Sequence, residues 1–152
     1  MRTTDTPPDD QATPASTDEY QLDAQIGYLL RRAHQRATAI FQEHFDDLTP
    51  TQWAVLARLR DNGPTSQNLL GRMTAMDAAT MQGVVRRLME RGLVTRTDDP
   101  TDRRRLTLCL SETGGDIARH ATAKALAVSR ETLSPLAPKE RETLLRLLAR
   151  LI

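Results

Sequence analysis

Hydrophobic residues recur at helical spacing through most of this chain. From Leu22 onward they share one face for about six turns, which predicts a long helix ending near Phe45. The members of this face are Leu22, Ile26, Leu29, Leu30, Ala33, Ala37, Ile40 and Phe41. Residues 1–17 have almost no large apolar side chains and are rich in proline, threonine and aspartate. They cannot bury enough surface to offset the cost of ordering, so we expect a disordered acidic tail.

A second helix has an unusually complete start signal. Thr49 can cap it, Pro50 suits the first helical position, and Gln52 can close a capping box. Leu48 and Trp53 have the spacing of a hydrophobic staple. These residues predict a helix that begins at Pro50.

The Asp-Asn-Gly-Pro sequence of residues 61–64 ends that helix and precedes two shorter ones. The first is capped by Ser66, and its predicted inward residues are Leu69, Leu70 and Met73. A tight connection at residues 74–76 leads to the second, which is capped by Asp77 and ends at Arg91–Gly92. Its predicted inward residues are Met81, Val84, Val85 and Leu88.

The hydrophobic period then changes from 3.6 to 2. Residues 93–95 form one predicted strand, and residues 106–111 alternate apolar and polar as a second. The charged segment 98–104 between them predicts a β-hairpin. Ser111 then caps a helix that stops at Ser134–Pro135, and a leucine-rich helix begins near Pro138.

A short helix, a tight turn, a second helix and a charged hairpin, in this order, are typical of a winged helix-turn-helix. The fold class is therefore mainly α with a small β-hairpin wing (α+β). We assign residues 46–110 to this DNA-binding lobe, and residues 18–45 and 111–152 to dimerisation helices. The helices outside the lobe have more apolar surface than so small a lobe could cover, which favours an isologous dimer.

The helix capped by Asp77, which is the second helix of the helix-turn-helix motif, is expected to read DNA. If its apolar residues pack inward, a small and polar face points outward. The predicted DNA-binding residues on this helix are Ala79, Thr80, Gln82, Gly83, Arg86 and Arg87, and Glu90 lies on the same side. Gln82 and Arg86 can hydrogen-bond base edges, and small residues permit close approach. Gly83 is costly inside a helix, so either close approach to DNA or simple tolerance must explain it.

The hairpin tip provides the second predicted DNA contact. Asp102 orients Arg103, which we expect to enter the minor groove, while Arg104 and Arg105 lie nearer the phosphates. The alternative is that these arginines form a solvated face.

Composition supports this interpretation only locally. The net charge is +1, but residues 82–105 contain seven arginines against four acids. The single cysteine, Cys109, excludes an internal disulfide and is interpreted as a small structural residue. No membrane-length apolar stretch or secretory signal is visible, so a reducing cytoplasm is expected.

An enzyme is disfavoured, because no nucleophile and base pairing, phosphate loop or paired-carboxylate motif rises above chance. A winged helix that binds only proteins remains an alternative, in which the face bearing Gln82 and Arg86 would be unused.

Residues 48–119 resemble the MarR family of transcriptional regulators. The resemblance rests on Leu48–Trp53, Met76–Thr80, Leu88–Val94, the wing segment Asp99–Arg104, and Leu110–Gly114. With the flanking helices it covers about residues 18–152. It implies a cytoplasmic, homodimeric repressor that binds a pseudo-palindromic operator and is released by a small aromatic ligand, a phenol or a carboxylate. The sequence at Asp77–Thr80 is similar to that of members linked to aromatic acid catabolism.

Such a ligand needs a pocket. Trp53 could form an aromatic wall and Arg60 could pair with a carboxylate, with His34 and Met73 nearby. Trp53 as a staple only, and His34 as an ordinary boundary residue, are the alternatives. No cofactor or metal is predicted.

A metal-responsive member of the family is an alternative with weak support. Glu43, His44 and His120 are suitable ligand types, but Lys124 stands where a second ligand would be expected. His44 is expected to be a satisfied core histidine. Oxidant-sensing members of the family use a cysteine near the start of the first helix. This sequence has no cysteine there, so oxidant sensing is disfavoured.

Overall fold

The computed structural model describes residues 20–99 and 106–152. This part of the chain forms six α-helices and a two-stranded antiparallel sheet. The helices are α1 (Ile26–His44), α2 (Pro50–Asn62), α3 (Gln67–Met73), α4 (Ala78–Glu90), α5 (Glu112–Thr132) and α6 (Pro138–Leu148). The strands are β1 (Val94–Asp98) and β2 (Leu106–Leu110). The predicted fold class, mainly helical with a small hairpin, is confirmed.

The first helix is shorter than its hydrophobic pattern predicts. Leu22–Ala24 form a separate 3₁₀ turn, because the backbone of Gln25 is extended (φ −79°, ψ 129°) and interrupts the helical hydrogen bonds. The helix ends as expected, with Phe45 as its C-cap. Of the predicted apolar face, Ile40 and Phe41 alone are buried within the protomer. Ala37 is partly buried, and the other members of that face are exposed in a single chain.

Helix α2 begins as predicted. The hydroxyl of Thr49 accepts from the backbone N–H of Gln52 at 3.2 Å, and Oε1 of Gln52 accepts from the backbone N–H of Thr49 at 3.0 Å. This capping box satisfies two backbone donors at once, which explains why Gln52 is buried without penalty.

Helices α3 and α4 are joined by a tight turn that brings their backbones together. The backbone N–H of Met76 donates to the carbonyl of Gly71 at 2.9 Å, and a Cβ on Gly71 would lie 3.2 Å from the carbonyl oxygen of Met76. Ala75 adopts a positive φ of 53° within this turn. The prediction that Leu69 points inward was wrong, since 40% of its surface is exposed; Leu70 alone fills the core at that level.

The hairpin is longer than the apolar pattern indicated. Strand β1 extends to Asp98 because its polar end still pairs with β2, and the hydroxyls of Thr97 and Thr107 lie 3.1 Å apart. That contact explains how Thr107 is buried while Leu106 is exposed, against the predicted alternation at these two positions; Leu108 is buried as predicted. Thr65 also bridges to Leu108, which joins the hairpin to the segment before α3.

One hydrophobic core links the helical elements to the hairpin. Its fully buried members include Val55, Leu56, Leu70, Leu88 and Ala118, drawn from α2, α3, α4 and α5. Helix α5 ends at Thr132, slightly before the predicted Ser134–Pro135 stop. Helix α6 begins at Pro138 as predicted, and none of its residues is buried.

Candidate nucleic-acid interface and ligand cleft

Helix α4 presents two distinct faces. Met81, Val84, Val85 and Leu88 are buried, as the sequence predicted. The opposite side exposes Ala79, Thr80, Gln82, Arg86 and Arg87, with Gly83 half-buried. The structure therefore places all six predicted DNA-binding residues of this helix along one accessible surface, called here the α4 face.

Asp77 fixes the start of the α4 face. One oxygen of its carboxylate accepts from the backbone N–H of Thr80 at 2.8 Å, and the other accepts from the Thr80 hydroxyl at 2.9 Å. These hydrogen bonds favour the charged form and lower the pKa of Asp77 below its usual 3.8. The orientation of the Thr80 side chain is thus set by the cap.

The remaining polar groups of the α4 face are loosely held. Arg86 lies 3.8 Å from Glu90, and both side chains are about two-thirds exposed (69% and 65%). An exposed pair of this kind contributes little, so Arg86 can turn toward another partner at small cost. A Cβ on Gly83 would meet no atom within 4 Å. Nothing in the protomer therefore requires glycine at that position.

The wing adds a cation that the sequence reasoning missed. Arg96 lies on β1, opposite Leu108 of β2, and its side chain is exposed. Its position among the consecutive polar residues that follow Val94 was the available signal. The predicted wing contacts Arg103, Arg104 and Arg105, and the orienting residue Asp102, lie outside the described residues.

A cleft of about 340 Å³ opens between α1, α2, α5 and α6, and we call it the Trp53 cleft. Its walls are mostly apolar and include Ala37, Phe41, Trp53, Ala125, Val128 and Leu145. The ring of Trp53 is half-buried and lies 5.9 Å from that of Phe45. The volume of the cleft falls at the lower end of the range of ligand pockets.

Two arginines lie beside the Trp53 cleft. Arg60, a predicted ligand residue, stands 5.8 Å from the Trp53 ring centroid and donates to Asp61 at 2.8 Å and to Thr122. Arg36 was missed: it donates to the carbonyls of Glu131 and Thr132, and Thr132 lines the cleft. Its contacts cross about 95 positions of sequence, so no local pattern could reveal them.

The other two predicted ligand residues lie elsewhere. His34 is exposed on α1, and Met73 ends α3, where its carbonyl accepts from Arg58 at 3.2 Å. Neither lines the Trp53 cleft. Of the four predicted ligand residues, the structure brings Trp53 and Arg60 together and leaves His34 and Met73 apart from them.

His44 is not enclosed in the core as expected. Its side chain is 30% exposed, and Nε2 lies 2.8 Å from a carboxylate oxygen of Glu131. The imidazole is nevertheless satisfied, because helix α5 packs against this end of α1. Within residues 20–99 and 106–152, no three histidine, cysteine or acidic side chains are grouped to hold a metal ion.

Large apolar side chains stay uncovered at both ends of the described chain. They include Leu22, Ile26, Leu29, Leu144, Leu145, Leu147 and Leu151, each at least 37% exposed. None of the described helices is both long and apolar enough to cross a membrane. Such surface is typical of a protein-protein contact.

Comparisons with known proteins agree with this geometry. The MarR family profile matches residues 46–105. The transcriptional repressor NicR of Pseudomonas putida is 40% identical over 93% of this chain and 90% of its own length.

Two solved structures are similar over 87% of this chain, each with a TM-score of 0.82. A probable transcriptional regulator from Pseudomonas aeruginosa is 52% identical and covered completely. BpsR of Bordetella bronchiseptica, described in a study of how 6-hydroxynicotinic acid regulates its DNA binding, is 37% identical and 96% covered.

Fold and relatives together define a winged-helix transcriptional regulator rather than an enzyme. The chain belongs to the MarR family.

Proposed function

We propose that this protein is a homodimeric repressor that binds a pseudo-palindromic operator and is released by a small aromatic acid. The observation that carries the DNA-binding part is the α4 face, on which Gln82 and Arg86 lie exposed beside small residues. Both side chains can form paired hydrogen bonds with base edges in the major groove. Such a regulator acts in the cytoplasm, at the nucleoid.

The exposed apolar residues at the two ends of the chain support the homodimer. Ile26 in α1 and Leu147 in α6 are 62% and 44% exposed, and burying this surface against a second copy would stabilise both chains. Two-fold symmetry would then present two α4 faces to half-sites about one helical turn apart.

The Trp53 cleft is the proposed effector site. An aromatic ring would contact Trp53 and Phe41, while a carboxylate could pair with Arg60 or Arg36 at the edge. The similarity to NicR, a repressor, and to BpsR, which is regulated by 6-hydroxynicotinic acid, favours repression and an aromatic acid. His34 and Met73 stay proposed as peripheral contacts.

Mobility-shift assays with DNA from upstream of the gene test the DNA-binding proposal. Arg86→Ala should weaken binding and change site preference, at a cost of about 1–3 kcal/mol for one lost base contact. Arg103→Ala should weaken binding and reduce its salt dependence, because it removes a cation from the minor groove. Arg130→Ala, an exposed arginine near the end of α5, is the matched control.

The alternative function, a winged helix that binds only proteins, makes the opposite prediction. Binding to duplex DNA would then be weak, and Arg86→Ala, Arg103→Ala and Arg130→Ala would be indistinguishable. That outcome would refute the DNA-binding assignment of the α4 face.

The effector proposal has a built-in probe, because Trp53 is the single tryptophan of the chain. Titration with 6-hydroxynicotinate should change its fluorescence and release DNA over the same concentration range. A Phe41→Ala variant that retains both responses, or fluorescence unaltered at concentrations that release DNA, would place the effector elsewhere.

A further inference from the structure

The cap of α4 uses the hydroxyl proton of Thr80. Oδ2 of Asp77 lies 2.9 Å from Oγ1 of Thr80, while Oδ1 accepts from the Thr80 backbone N–H at 2.8 Å. An ionised carboxylate can only accept, so the proton of the first contact must come from Thr80. The same hydrogen bonds lower the pKa of Asp77, which keeps its carboxylate ionised at neutral pH. The Thr80 hydroxyl therefore donates inward, to the cap of its own helix.

The outward side of the Thr80 hydroxyl is left to accept. A hydroxyl has one proton and two lone pairs, and here the proton is already in use. Thr80 is exposed, and among the described residues none donates to its hydroxyl. Toward solvent, Thr80 thus presents lone pairs and a methyl group but no donor.

The other polar side chains of the α4 face differ from Thr80 in this respect. Arg86 and Arg87 can only donate, and the amide of Gln82 can both donate and accept. Glu90 is charged and lies 3.8 Å from Arg86. Thr80 therefore adds to this face an uncharged group that accepts without donating.

Bases differ in what they present to such a group. In the major groove the exocyclic amino groups of adenine and cytosine are donors, whereas guanine and thymine present acceptor oxygens. The Thr80 hydroxyl can bond an amino group, but it would meet the oxygen of guanine or thymine with no proton between them. Because an acceptor left unpaired in a contact costs free energy, the two classes of base are distinguished.

Thr80 also stands where a reading helix meets base edges. The N-terminal residues of the second helix of a helix-turn-helix contact the bases, and Thr80 is the third residue of α4. Ala78 and Ala79, which precede it, are exposed and too short to hold the duplex away. Phosphate oxygens are acceptors, and the carboxylate of Asp77 would repel them. A base is therefore a better partner for Thr80 than the DNA backbone.

We propose that Thr80 is a specificity-determining residue that selects an amino-bearing base, adenine or cytosine, in each operator half-site, and that Asp77 sets this choice by holding the hydroxyl proton. The selection rests on the proposed DNA-binding function of the α4 face. Thr80 contacts the base, while Asp77 acts through Thr80 as a positioning residue. Replacing Asp77 should therefore change sequence preference as well as stability.

Asp77→Asn tests this directly, because it reverses the hydrogen bond between the two side chains. Asparagine is as good a cap, and its oxygen can still accept from the Thr80 backbone N–H. Its Nδ2 can only donate, so the Thr80 hydroxyl becomes the acceptor of that contact and its proton can point outward.

The readout is selection of binding sites from a randomised duplex library by the full-length protein. One position in each half-site should change from adenine or cytosine to a set that includes guanine or thymine, while the other positions keep their preference. An unchanged preference at every position would overturn the proposal.

Two substitutions of Thr80 separate its hydroxyl from its methyl group. Thr80→Val keeps the shape and removes the acceptor, so affinity for the selected operator should fall roughly two- to tenfold, the effect of one lost hydrogen bond. Thr80→Ser keeps the hydroxyl and should retain the base preference. Thr113→Val, at an exposed threonine in the first turn of α5, is the matched control and should bind like wild type. If Thr80→Val kept the wild-type preference at every position, the methyl group would be the reading group and the proposal would be wrong.

Removing the amino group from the DNA completes the test. Purine in place of the selected adenine, or pyrimidinone in place of the selected cytosine, should weaken binding by wild type more than binding by Thr80→Val. Any effect of the modified base on base pairing is common to both proteins. Equal losses in the two proteins would mean that another side chain reads the amino group, against the proposal.

The role of Thr80 and the proposed function fail separately. If Arg86→Ala changes site preference while Asp77→Asn and Thr80→Val do not, DNA binding by the α4 face stands and the role of Thr80 is overturned. If none of these three variants differs from Arg130→Ala, the proposed function fails and the role of Thr80 falls with it.

Discussion

Gly114 of α5 packs directly against the backbone of Leu93. A Cβ on Gly114 would overlap the carbonyl oxygen of Leu93 and lie 2.9 Å from its carbonyl carbon. The same carbonyl accepts from the backbone N–H of Ser111 at 3.1 Å, and the Ser111 hydroxyl donates to the carbonyl of Gly92 at 2.6 Å. This close contact joins the start of α5 to the base of the wing.

We therefore expect Gly114→Ala to lower the free energy of unfolding by about 1–3 kcal/mol, the usual cost of an overpacked contact. The neighbouring Gly115→Ala is the matched control, because its Cβ would lie at an ordinary 3.5 Å from Arg119. That control should gain up to about 1 kcal/mol from its higher helix propensity. Urea unfolding at one fixed protein concentration measures both, and equal stabilities would contradict the contact.

Gly83 should behave differently, because nothing in the protomer lies near its Cβ position. Gly83→Ala should raise the free energy of unfolding by about 1 kcal/mol through helix propensity. It should nevertheless weaken operator binding, since the added methyl group stands on the α4 face. Thermal unfolding and mobility-shift titration of the same preparation separate the two effects. A variant that is more stable and binds DNA as tightly as wild type would show that glycine is merely tolerated there.

The cap at Asp77 predicts an acid-dependent loss of stability. Hydrogen bonds from Thr80 lower the pKa of Asp77, so its contribution is present above the pKa of the unfolded chain and is lost as pH falls through the lower folded value. Asp77→Asn keeps a capping oxygen but does not titrate. The stability difference between wild type and Asp77→Asn should therefore be constant near neutral pH and shrink as the pH falls below the unfolded value of 3.8, as unfolding curves can show. A constant difference would exclude this role for the carboxylate.

Dimerisation predicts that stability depends on protein concentration. In wild type the melting temperature should rise with concentration, because dissociation accompanies unfolding. Leu147→Glu introduces a charge into the exposed apolar surface of α6 and should abolish this dependence and give a monomer by sedimentation. Leu69→Glu, on α3, replaces a comparably exposed leucine (40% against 44%) and should leave the dimer intact. If both variants sediment like wild type, α6 does not form the interface.

Features that depend on a few consecutive residues could be predicted from the sequence. The cap of Asp77 on Thr80, the capping box at Thr49 and the inward face of α4 all follow from hydrogen bonds and side-chain directions within one or two helical turns. The prediction that Leu69 points inward was wrong because it depended on contacts outside its own helix. Helical periodicity locates the apolar side of a short helix but does not say how far the neighbouring helices cover it.

Contacts between distant parts of the chain could not be predicted in this way. His44 meets Glu131 across 87 positions, and Arg36 reaches the same turn of α5. The Trp53 cleft exists only because α1, α2, α5 and α6 converge there.

The sequence by itself determined which segments are helices, where most of them begin, and which face of α4 stays exposed, because those outcomes depend on interactions between neighbours in the chain. Tertiary packing alone decided which cations stand beside a cavity. The reason is physical: a side chain's direction is set locally, but the surface it meets is supplied by helices many residues away.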